Sequence, residues 1–575
     1  MNLKKLTLRS VIEESVERNS NLPAVSFVDQ PKITYREFKQ KLDEVVKFLK
    51  SSGITVGDKV AILSENQPNW GIAYFAITSM GAVAVPIMTE FHSAEVHHIL
   101  RHSESKAIFV SAKYFSKIEE FDSSTLTTRI LLDDFSVIPS ETKNDLLKEV
   151  ISGAKQEFAK IKEAALKFVG LIPEEVEEND LALILYTSGT TGHSKGVMLT
   201  HKNVVYDAIA TVEMVGANSS DRFLSILPLF HTYESTLGLV IPIMVGASIT
   251  YLDKPPTPAV LLSALKKVKP TVVLSVPLVI EKIYRNKVLP EFNKKFIVKS
   301  LYKIPTIRKK LNKIAGKKLF ETFGGELRLF CIGGASLPAD VELFMREAEF
   351  PYAIGYGLTE TSPLVTGTDT KNVRLRSAGK PMRGMQVKID SPDPKTGEGE
   401  VLIKGPNVMI GYYKDPEKTK EVFTDDGWFK SGDLGVMDED GYLYIKGRSK
   451  NVIIGANGKN IYPEEIESII NSFPFVVESL VIEKGELLIA KIHPNYEEID
   501  KEYNIQKLSE PEAREIKNKI FADLLVKINE RVNTFSKINK IIEQTIPFEK
   551  TPTQKIKRFL YTEWKKLFIN NICKR

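Results

Sequence analysis

The alternation of short apolar runs with helical stretches restricts the fold of this chain more than any other feature. In the first half, the runs VAILSE, AVAVPI, KAIFVSA and RILLDD have the length and composition of buried strands, and helical segments separate them. Strands and helices that alternate in this way form a parallel sheet wrapped by helices. The sequence therefore predicts an α/β fold.

Shorter strands with Gly and Asp turns follow Gly379, in the segments GMQVKID, GEGEVLIKG and GYLYIKG. This pattern is typical of an antiparallel sheet or a small barrel. A final part begins near Arg448 with the helix YPEEIESII and the hairpin VESLVIEKGELLIAKI. We therefore predict a large N-terminal domain over residues 1–447, with layered α/β sheets plus a small barrel, and a smaller α+β C-terminal domain over residues 448–575. Residues 140–178 are predicted to form a helical excursion on the surface.

Composition and the N-terminal sequence indicate the cellular compartment of the protein. The 575 residues are 43% hydrophobic and 26% charged, as in ordinary globular proteins, and the two cysteines are Cys331 and Cys573. A pair so far apart does not make a disulfide framework, which favours a reducing compartment. The charged N-terminal stretch lacks the apolar core of a signal peptide. The sequence predicts a cytoplasmic protein.

Two uncharged stretches have the apolar character of membrane spans, one between Glu65 and Glu90 and one between Glu234 and Asp253. Proline and glycine residues interrupt both stretches, and a bilayer-spanning helix needs about 20 consecutive apolar residues. Each stretch is therefore predicted to be a buried helix followed by a strand.

The segment 282–318 carries thirteen basic residues and a single acid, Glu291. Such a cluster attracts phosphates, anionic lipid or nucleic acid, although many charge runs are plain solvated faces. The sequence lacks the zinc-finger spacing, the RNA-binding aromatic signature and the basic zipper that would favour nucleic acid. Two interpretations stay open: a solvated basic face, and a peripheral contact with the inner face of a membrane.

The segment LILYTSGTTGHSKGVMLTH combines a strand-like run with a cluster of hydroxyls and glycines. Glycine lets backbone amides approach phosphate oxygens closely, and Ser and Thr hydroxyls add donors, so the segment predicts a polyphosphate cradle. It is not a Walker loop, because Lys195 stands between Ser194 and Gly196. The cradle residues are Thr187, Ser188, Gly189, Thr190, Thr191, Gly192 and Lys195.

The string YTSGTTGHSKGV closely resembles the phosphate-binding signature of the adenylate-forming superfamily, which includes acyl-CoA synthetases, firefly-type luciferases and the adenylation domains of peptide synthetases. Further segments that resemble motifs of this superfamily follow in order up to Arg558. They are LPLFHTYE, PTVVLSVPLVIEKIY, GGASLP, YGLTETSP, GWFKSGDLG, GRSKN and FEKTPTQKIKR. Two positions depart from the pattern: Ser194 replaces the usual proline, and Gln554 replaces the usual glycine before Lys555.

The resemblance implies a nucleotide site. In this reading Tyr356 stacks on adenine, Thr359 contacts phosphate, Glu360 coordinates Mg²⁺, and Asp433 accepts both ribose hydroxyls. A hard dication bridging phosphates takes only one or two carboxylates from the protein, which agrees with a single Glu at this position. Gly333, Gly334 and Ala335 are implied to form a turn that faces adenine and the carboxylate of the substrate. Arg448 is implied to lie near the ribose or phosphate. Gly357 is the remaining implied nucleotide-binding residue.

The resemblance also assigns residues to the reaction itself. Lys555 is the implied catalytic lysine of adenylation, acting with Glu360 and the cradle residue Thr190, and Lys450 is the implied pivot of a mobile C-terminal domain. The acyl pocket is expected around His231, Tyr233 and Gly333. PTVVLSVPLVIEKIY is similar to a segment of long-chain fatty acid members.

These residues imply a ligase that uses ATP, Mg²⁺ and coenzyme A to convert a medium- or long-chain fatty acid to its thioester. An acyl-AMP ligase that loads an acyl carrier protein is the alternative enzyme. A non-catalytic nucleotide or acyl-AMP binding protein also stays open, because of Gln554 and Ser194. A metal pair at His98 and His102, spaced i, i+4, is less favoured than a solvated helix face, since no acidic or cysteine ligand completes it.

Overall fold

The computed structural model describes residues 3–139, 142, 175–187, 194–293, 296–454, 460–485, 487–551 and 555–562. Within these ranges the predicted α/β fold is confirmed, because the chain forms two largely parallel sheets, an antiparallel sheet and a C-terminal α+β part. Most of the predicted helical excursion at 140–178 lies outside the described residues, as do residues 188–193 of the predicted phosphate loop.

One sheet brings several predicted motifs to a single edge. Four neighbouring strands run parallel, and LPLFHTYE, VPLVIEKIY, GGASLP and LTETSP follow their carboxyl ends in turn. The carboxyl ends of parallel strands share one edge, where ligands of open α/β sheets bind. The strand order is Lys380–Pro381, Leu364–Gly367, Tyr352–Gly357, Leu329–Ile332, Val272–Ser275, Arg222–Ser225, Ser248–Tyr251, Pro23–Phe27 and Ile33–Thr34.

The second sheet holds the strands on either side of the predicted phosphate loop. Leu181–Thr187 is antiparallel to Lys195–Thr200 and parallel to Val83–Pro86. The side chains in the middle of Leu181–Thr187 are buried, which fixes where the loop leaves the sheet. The strand order is Gly411–Tyr412, Lys195–Thr200, Leu181–Thr187, Val83–Pro86, Lys59–Leu63, Ala107–Val110, Thr128–Leu131 and Val137–Ile138.

Helix Pro68–Ser79 lies between the two sheets and contacts strands of both. Ten of its twelve residues are buried, as expected of a helix that is apolar on every side. The other α-helices of this part are Leu8–Asn19, Tyr35–Ser51, Ser93–Ser103, His201–Val215, Thr232–Glu234, Ile241–Val245, Pro258–Val268, Pro277–Ile283, Leu289–Asn293, Phe296–Leu301, Pro305–Thr322, Ala339–Glu347 and Pro416–Val422, and π-helices span Ser235–Val240 and Tyr284–Val288.

The two uncharged stretches form buried helices followed by strands, as predicted. The first contains helix Pro68–Ser79 and strand Val83–Pro86, and the second contains a helical run from Ser235 to Val245 and strand Ser248–Tyr251. Among the described helices, none combines the length and the apolar character that crossing a bilayer requires.

An antiparallel sheet stands where the sequence predicts an antiparallel sheet or a small barrel, with the order Gln386–Asp390, Gly399–Lys404, Phe429–Met437 and Leu443–Arg448. The C-terminal part has a hydrophobic cluster of its own, centred on Ile470, Ile492 and Ile528. Its strands are Ile453–Ile454, Asn460–Ile461, Val476–Lys484, Leu487–Pro494 and Lys540–Glu543, and its α-helices are Pro463–Ile470, Tyr496–Tyr503 and Glu510–Asn529. The domain boundary at residues 447 and 448 stays a prediction.

Candidate active site

Tyr356, Asp433 and Arg448 form one hydrogen-bonded group. Asp433 and Arg448 are register partners on adjacent antiparallel strands, and their side chains form an ion pair of 2.8 Å between Oδ1 and Nε. The hydroxyl of Tyr356 donates to the other carboxylate oxygen of Asp433 at 2.7 Å. Burial raises the pKa of Asp433 above its ordinary value, against the opposing effects of Arg448 and Tyr356. The group is a buried acceptor whose carboxylate is paired directly with Arg448.

Glu360 lies on the short helical turn Thr359–Thr361, directly after the strand that ends at Gly357. Its Oε1 accepts a hydrogen bond of 3.0 Å from the hydroxyl of Tyr412. The ammonium of Lys195 lies 5.4 Å from the ring centroid of Tyr412. Tyr412 therefore connects the carboxylate of Glu360 to the lysine of the phosphate loop.

The phosphate loop leaves the second sheet between Thr187 and Lys195, which are register partners at the ends of its two strands. Partial desolvation, and then the cations Lys418 and Lys450, lower the pKa of Lys195. An anion entering this region would relieve the repulsion among these cations. The predicted cradle residues Ser188, Gly189, Thr190, Thr191 and Gly192 lie outside the described residues.

Lys555 approaches the N-terminal site from the C-terminal part of the chain. Its backbone N–H donates to the Thr551 hydroxyl at 3.2 Å, and Lys550 forms an antiparallel bridge with Ile556, so the lysine lies where these two segments pair. Partial desolvation and the Arg448 cation lower the pKa of Lys555, while the carboxylates of Asp433 and Glu360 raise it. The ammonium group thus lies in the electrostatic field of both predicted site carboxylates.

The predicted acyl-pocket residues meet at the carboxyl edge of the first sheet. The Tyr233 hydroxyl donates to the carbonyls of Ser275 at 3.3 Å and Cys331 at 3.1 Å, which are the last and next-to-last residues of adjacent strands. A Cβ at Gly333 would lie 3.3 Å from Cζ of Tyr233, so glycine allows this close approach. Burial, and then Lys555, lower the pKa of His231 to about 4, so its ring is neutral at neutral pH.

The predicted pivot Lys450 lies exposed on the helical turn Ser449–Asn451, at the junction of the two parts. Polar contacts between described residues also join the two parts beyond this turn, and in one of them Arg285 donates to the Ser472 carbonyl at 3.4 Å. The Tyr462 hydroxyl donates to Glu398 at 2.6 Å, and Arg376 pairs with Glu465 at 3.6 Å. Gly334 has a φ of +84° and Ala335 is exposed, so the turn after Gly333 faces open space.

Glu234 is a buried carboxyl group that the motif comparison did not single out. It is 1% exposed, and its Oε1 accepts a hydrogen bond of 2.5 Å from Ser225. The side chain of Asn66 donates in turn to Ser225 at 2.9 Å and to the Leu227 carbonyl at 2.6 Å. Desolvation raises the pKa of Glu234 to about 8. The network fixes the segment that carries His231 and Tyr233.

We expect the Glu234→Gln variant to lose a pH dependence of stability. The folded-state pKa is about 8 and the reference value is 4.5, so the folded protein retains a proton that the unfolded chain releases. The contribution of this group to the free energy of unfolding is fully present below about pH 4.5. It declines by about 1.4 kcal/mol per pH unit above that pH, until the pH passes 8. Thermal midpoints at pH 5 to 9 should fall less steeply in the variant. Equal slopes in the variant, the wild type and the exposed control Glu439→Gln would contradict the assignment.

Sequence patterns missed Tyr412 as well as Glu234. The signal for Tyr412 was an aromatic pair, Tyr412 and Tyr413, at the end of a short strand that pairs with the strand of Lys195. The histidines His98 and His102 stack with ring centroids 5.6 Å apart, and Nδ1 of His102 lies 2.7 Å from the Tyr186 hydroxyl. In the described ranges no group of three or more His, Cys, Asp or Glu residues is placed to hold a metal.

Comparison with known proteins adds a family match and related enzymes. Residues 12–413 match the family of AMP-binding enzymes. The long-chain-fatty-acid–CoA ligase FadD15 of Mycobacterium bovis is 31% identical over 483 residues, which cover 78% of this chain and 75% of that protein. The chloroplastic long-chain-fatty-acid–[acyl-carrier-protein] ligase AEE15 of Arabidopsis thaliana is 29% identical over 542 residues, which cover 81% of this chain and 73% of that protein.

A solved structure extends the likeness to the fold of nearly the whole chain. ATP-bound MatB from Rhodopseudomonas palustris superposes with a TM-score of 0.74 at 25% identity, and the alignment covers 98% of this chain and 99% of that one. The match includes the C-terminal part, which lies beyond the residues of the family match.

Proposed function

We propose, from the premise that this chain belongs to the AMP-binding enzyme family and is an AMP-forming acid–thiol ligase, that its substrates are a fatty acid, ATP and coenzyme A. The acid is first converted to acyl-AMP with release of pyrophosphate. The acyl group is then transferred to the thiol of coenzyme A, and AMP leaves.

The observation that carries the proposal is that Lys555 lies within electrostatic range of the two site carboxylates. A lysine from the C-terminal part shares one electrostatic environment with Asp433 and Glu360 of the N-terminal part. An acyl-AMP binding protein would need the pocket but would have no use for a cation brought to it from a second part of the chain. Adenylation does need one, because negative charge on the α-phosphate oxygens must be neutralised in the transition state.

Glu360 and its neighbours at the carboxyl edge of the first sheet fit a magnesium ion. Mg²⁺ takes one or two carboxylates from a protein and the rest of its oxygen ligands from phosphates and water. Glu360 offers one carboxylate, oriented by the Tyr412 hydroxyl, close to the lysine of the phosphate loop. When bound, the ion would supply further neutralisation of the phosphate charge.

In the proposed first half-reaction, a carboxylate oxygen of the fatty acid attacks the α-phosphorus of ATP. The bond between this phosphorus and its bridging oxygen breaks, and pyrophosphate leaves. Asp433 orients the ribose through its hydroxyls, Tyr356 contacts adenine, and Thr190 with its neighbours holds the phosphates. The ammonium of Lys555 neutralises the charge that develops on the α-phosphate oxygens.

In the second half-reaction the sulfur of the thiolate attacks the acyl carbonyl carbon, and the bond to AMP breaks. Because one lysine cannot serve both geometries, we propose that the C-terminal domain turns at Lys450 and withdraws Lys555. The acceptor is coenzyme A or, as the second candidate, an acyl carrier protein, and the names of the two fatty acid relatives support one option each. The segment 282–318 is proposed to contact a membrane surface, from which a fatty acid can be drawn.

Pyrophosphate release with an acid series tests the proposal. Acetate, octanoate, oleate and benzoate are each supplied with MgATP, with and without coenzyme A. We expect continuous turnover that is greatest for the fatty acids and requires coenzyme A. Release of one equivalent without response to coenzyme A would favour a carrier protein as acceptor. No pyrophosphate release with any of the acids would contradict the ligase and favour the binding protein.

A further inference from the structure

Two fully buried polar side chains hold the turn that carries Glu360. Asp207 and Asn407 are each 0% exposed, and neither is among the predicted site residues. Asp207 lies on helix His201–Val215, and Asn407 precedes the short strand Gly411–Tyr412. A buried polar side chain destabilises the fold unless it is hydrogen-bonded, so its partners show what it holds in place.

Asp207 holds the end of the turn. The backbone N–H of Leu364 donates to both carboxylate oxygens of Asp207, at 3.1 Å and 3.2 Å. Leu364 begins strand Leu364–Gly367, four residues after Glu360. Desolvation raises the pKa of Asp207 well above its ordinary value, against the effect of the bond from Leu364. The carboxyl group is therefore placed as an acceptor for one backbone amide, in a part of the fold closed to solvent.

Asn407 holds the middle of the turn. Its side-chain amide donates to the carbonyls of Thr361 at 2.7 Å and Leu364 at 2.6 Å. In return, the Ser362 hydroxyl donates to the Asn407 backbone carbonyl at 2.9 Å. The turn therefore cannot shift against the segment of Asn407 without breaking three buried hydrogen bonds.

The segment that follows Asn407 contacts Glu360 itself. The Met409 backbone N–H donates to the Glu360 carbonyl at 2.8 Å, and the Tyr412 hydroxyl donates to the Glu360 carboxylate at 3.0 Å. Both the backbone and the carboxylate of Glu360 are thus bonded from residues 409–412. The position of this segment sets the direction of the carboxylate.

Asn203 joins the same segment to the strand that leaves the phosphate loop. It lies one helical turn before Asp207, on the same buried face of the helix. Its side-chain amide donates to the carbonyls of the residues on either side of Asn407, at 2.7 Å and 2.9 Å. Its side-chain oxygen accepts from the backbone N–H of Thr200, the last residue of the strand, at 2.8 Å. One helix therefore fixes the phosphate-loop strand, the Glu360 turn and the segment after it relative to one another.

We propose that Asp207, Asn407 and Asn203 are positioning residues, which aim the Glu360 carboxylate at the magnesium ion of MgATP. The inference rests on the proposed function in one respect: Glu360 is the ligand of that ion. Groups that orient a metal ligand contribute strongly to metal affinity. Because Mg²⁺ takes only one or two carboxylates from a protein, its affinity depends closely on the direction of each. A purely structural role would lower stability and leave metal affinity unchanged.

Binding of Mn²⁺ to the full chain tests the proposal. Mn²⁺ replaces Mg²⁺ because its electron paramagnetic resonance signal reports the bound fraction, and α,β-methylene-ATP replaces ATP because it cannot release pyrophosphate. Asp207→Leu removes the acceptor at similar volume, and Asn407→Asp turns an acceptor towards two carbonyls. Both should weaken Mn²⁺ binding by about 10- to 100-fold, the range for losing a group that orients a metal ligand.

A conservative variant and the kinetics separate positioning from folding. Asp207→Asn keeps an acceptor oxygen for the Leu364 N–H, so Mn²⁺ binding should stay within about threefold of the wild type. With octanoate as substrate, Asp207→Leu should raise the Mg²⁺ concentration for half-maximal pyrophosphate release by about tenfold or more. Its KM for octanoate should not change.

A milder variant keeps the test decisive if Asp207→Leu does not fold. Ser362→Ala removes a single hydroxyl bond to the Asn407 carbonyl and should weaken Mn²⁺ binding by about fivefold. Wild-type Mn²⁺ binding in both Asn407→Asp and Ser362→Ala would overturn the proposal.

Asp221→Leu and Asn529→Asp are the matched controls. Asp221 is 2% exposed, accepts from the Thr271 hydroxyl at 2.8 Å and pairs with Arg328, yet it precedes strand Arg222–Ser225 at the opposite edge of the sheet. The Asn529 side-chain amide donates to a backbone carbonyl at 2.9 Å in the C-terminal part. Both variants should lower the thermal midpoint and leave Mn²⁺ binding unchanged. Weakening equal to that in the test variants would assign the effect to general loss of stability and overturn the proposal.

Glu360→Gln separates this inference from the proposed function. If this variant binds Mn²⁺ like the wild type, the ion does not use this carboxylate, and the magnesium assignment and the inference are both wrong. If it weakens binding while Asp207→Leu and Asn407→Asp do not, only the inference is overturned. Weakened Mn²⁺ binding in all three variants of a chain that activates no acid would exclude the ligase and support the positioning role.

Discussion

Lys555→Ala is expected to lower the rate of pyrophosphate release by about 10²- to 10³-fold, the range for losing one charged group that acts on the transition state. The lysine is exposed enough for its removal to be tolerated, yet it stands in the field of Asp433 and Glu360. The loss should fall on turnover more than on the KM for ATP, because charge at the α-phosphate develops only as the acid attacks.

Supplied acyl-AMP distinguishes this role from a structural one. Transfer of its acyl group to coenzyme A should continue near the wild-type rate in Lys555→Ala, since the lysine is proposed to have withdrawn by then. Lys557→Ala removes a cation two residues away in the same segment and should change neither half-reaction. If both half-reactions fell together in Lys555→Ala, the residue would be structural. Unchanged pyrophosphate release would exclude it from adenylation.

Asp433→Asn is expected to raise the KM for ATP by about 10- to 100-fold. Two hydrogen bonds from ribose hydroxyls to an ionised carboxylate are weakened, and hydrogen bonds to charged groups contribute about 1.5 to 3 kcal/mol each. The substitution also removes the charge that pairs with Arg448 at 2.8 Å, and it leaves one acceptor oxygen for the two donors Arg448 and Tyr356. Tyr356, which is proposed to contact adenine, and the Arg448 cation would then be less well positioned for the nucleotide.

Asp438→Asn is the matched control for this variant. Asp438 lies just beyond the end of the same strand and pairs with Arg374 at 2.5 Å, so its substitution also breaks an aspartate–arginine pair. Its KM for ATP should stay within about twofold of the wild type, because exposed ion pairs contribute little. A similar KM increase in both variants would show that the strand, not the ribose contact, was disturbed. Thermal midpoints of both variants would reveal such a disturbance directly.

Local sequence determined much of the architecture. Short apolar runs and glycine turns predicted parallel strands early in the chain and antiparallel strands after Gly379, and both are found. A proline predicted the start of helix Pro463–Ile470. Prolines and glycines predicted that each uncharged stretch divides into a helix and a strand. These features depend on backbone preferences and on burial within a few residues, which sequence patterns express directly. The predicted roles of the motif residues rest on resemblance and await the experiments above.

Tertiary structure alone decided which distant side chains meet. Tyr356 and Asp433 lie 77 residues apart, and only the register of two sheets brings the hydroxyl within 2.7 Å of the carboxylate. No sequence pattern indicated that Glu234, in an otherwise expected motif, is buried and has a raised pKa. Likewise, apolar periodicity indicates that isoleucines go inside, and only the packing of helix Pro305–Thr322 left Ile314 exposed among lysines. Contact, desolvation and exposure are set by the whole assembly of elements, so no local pattern determines them.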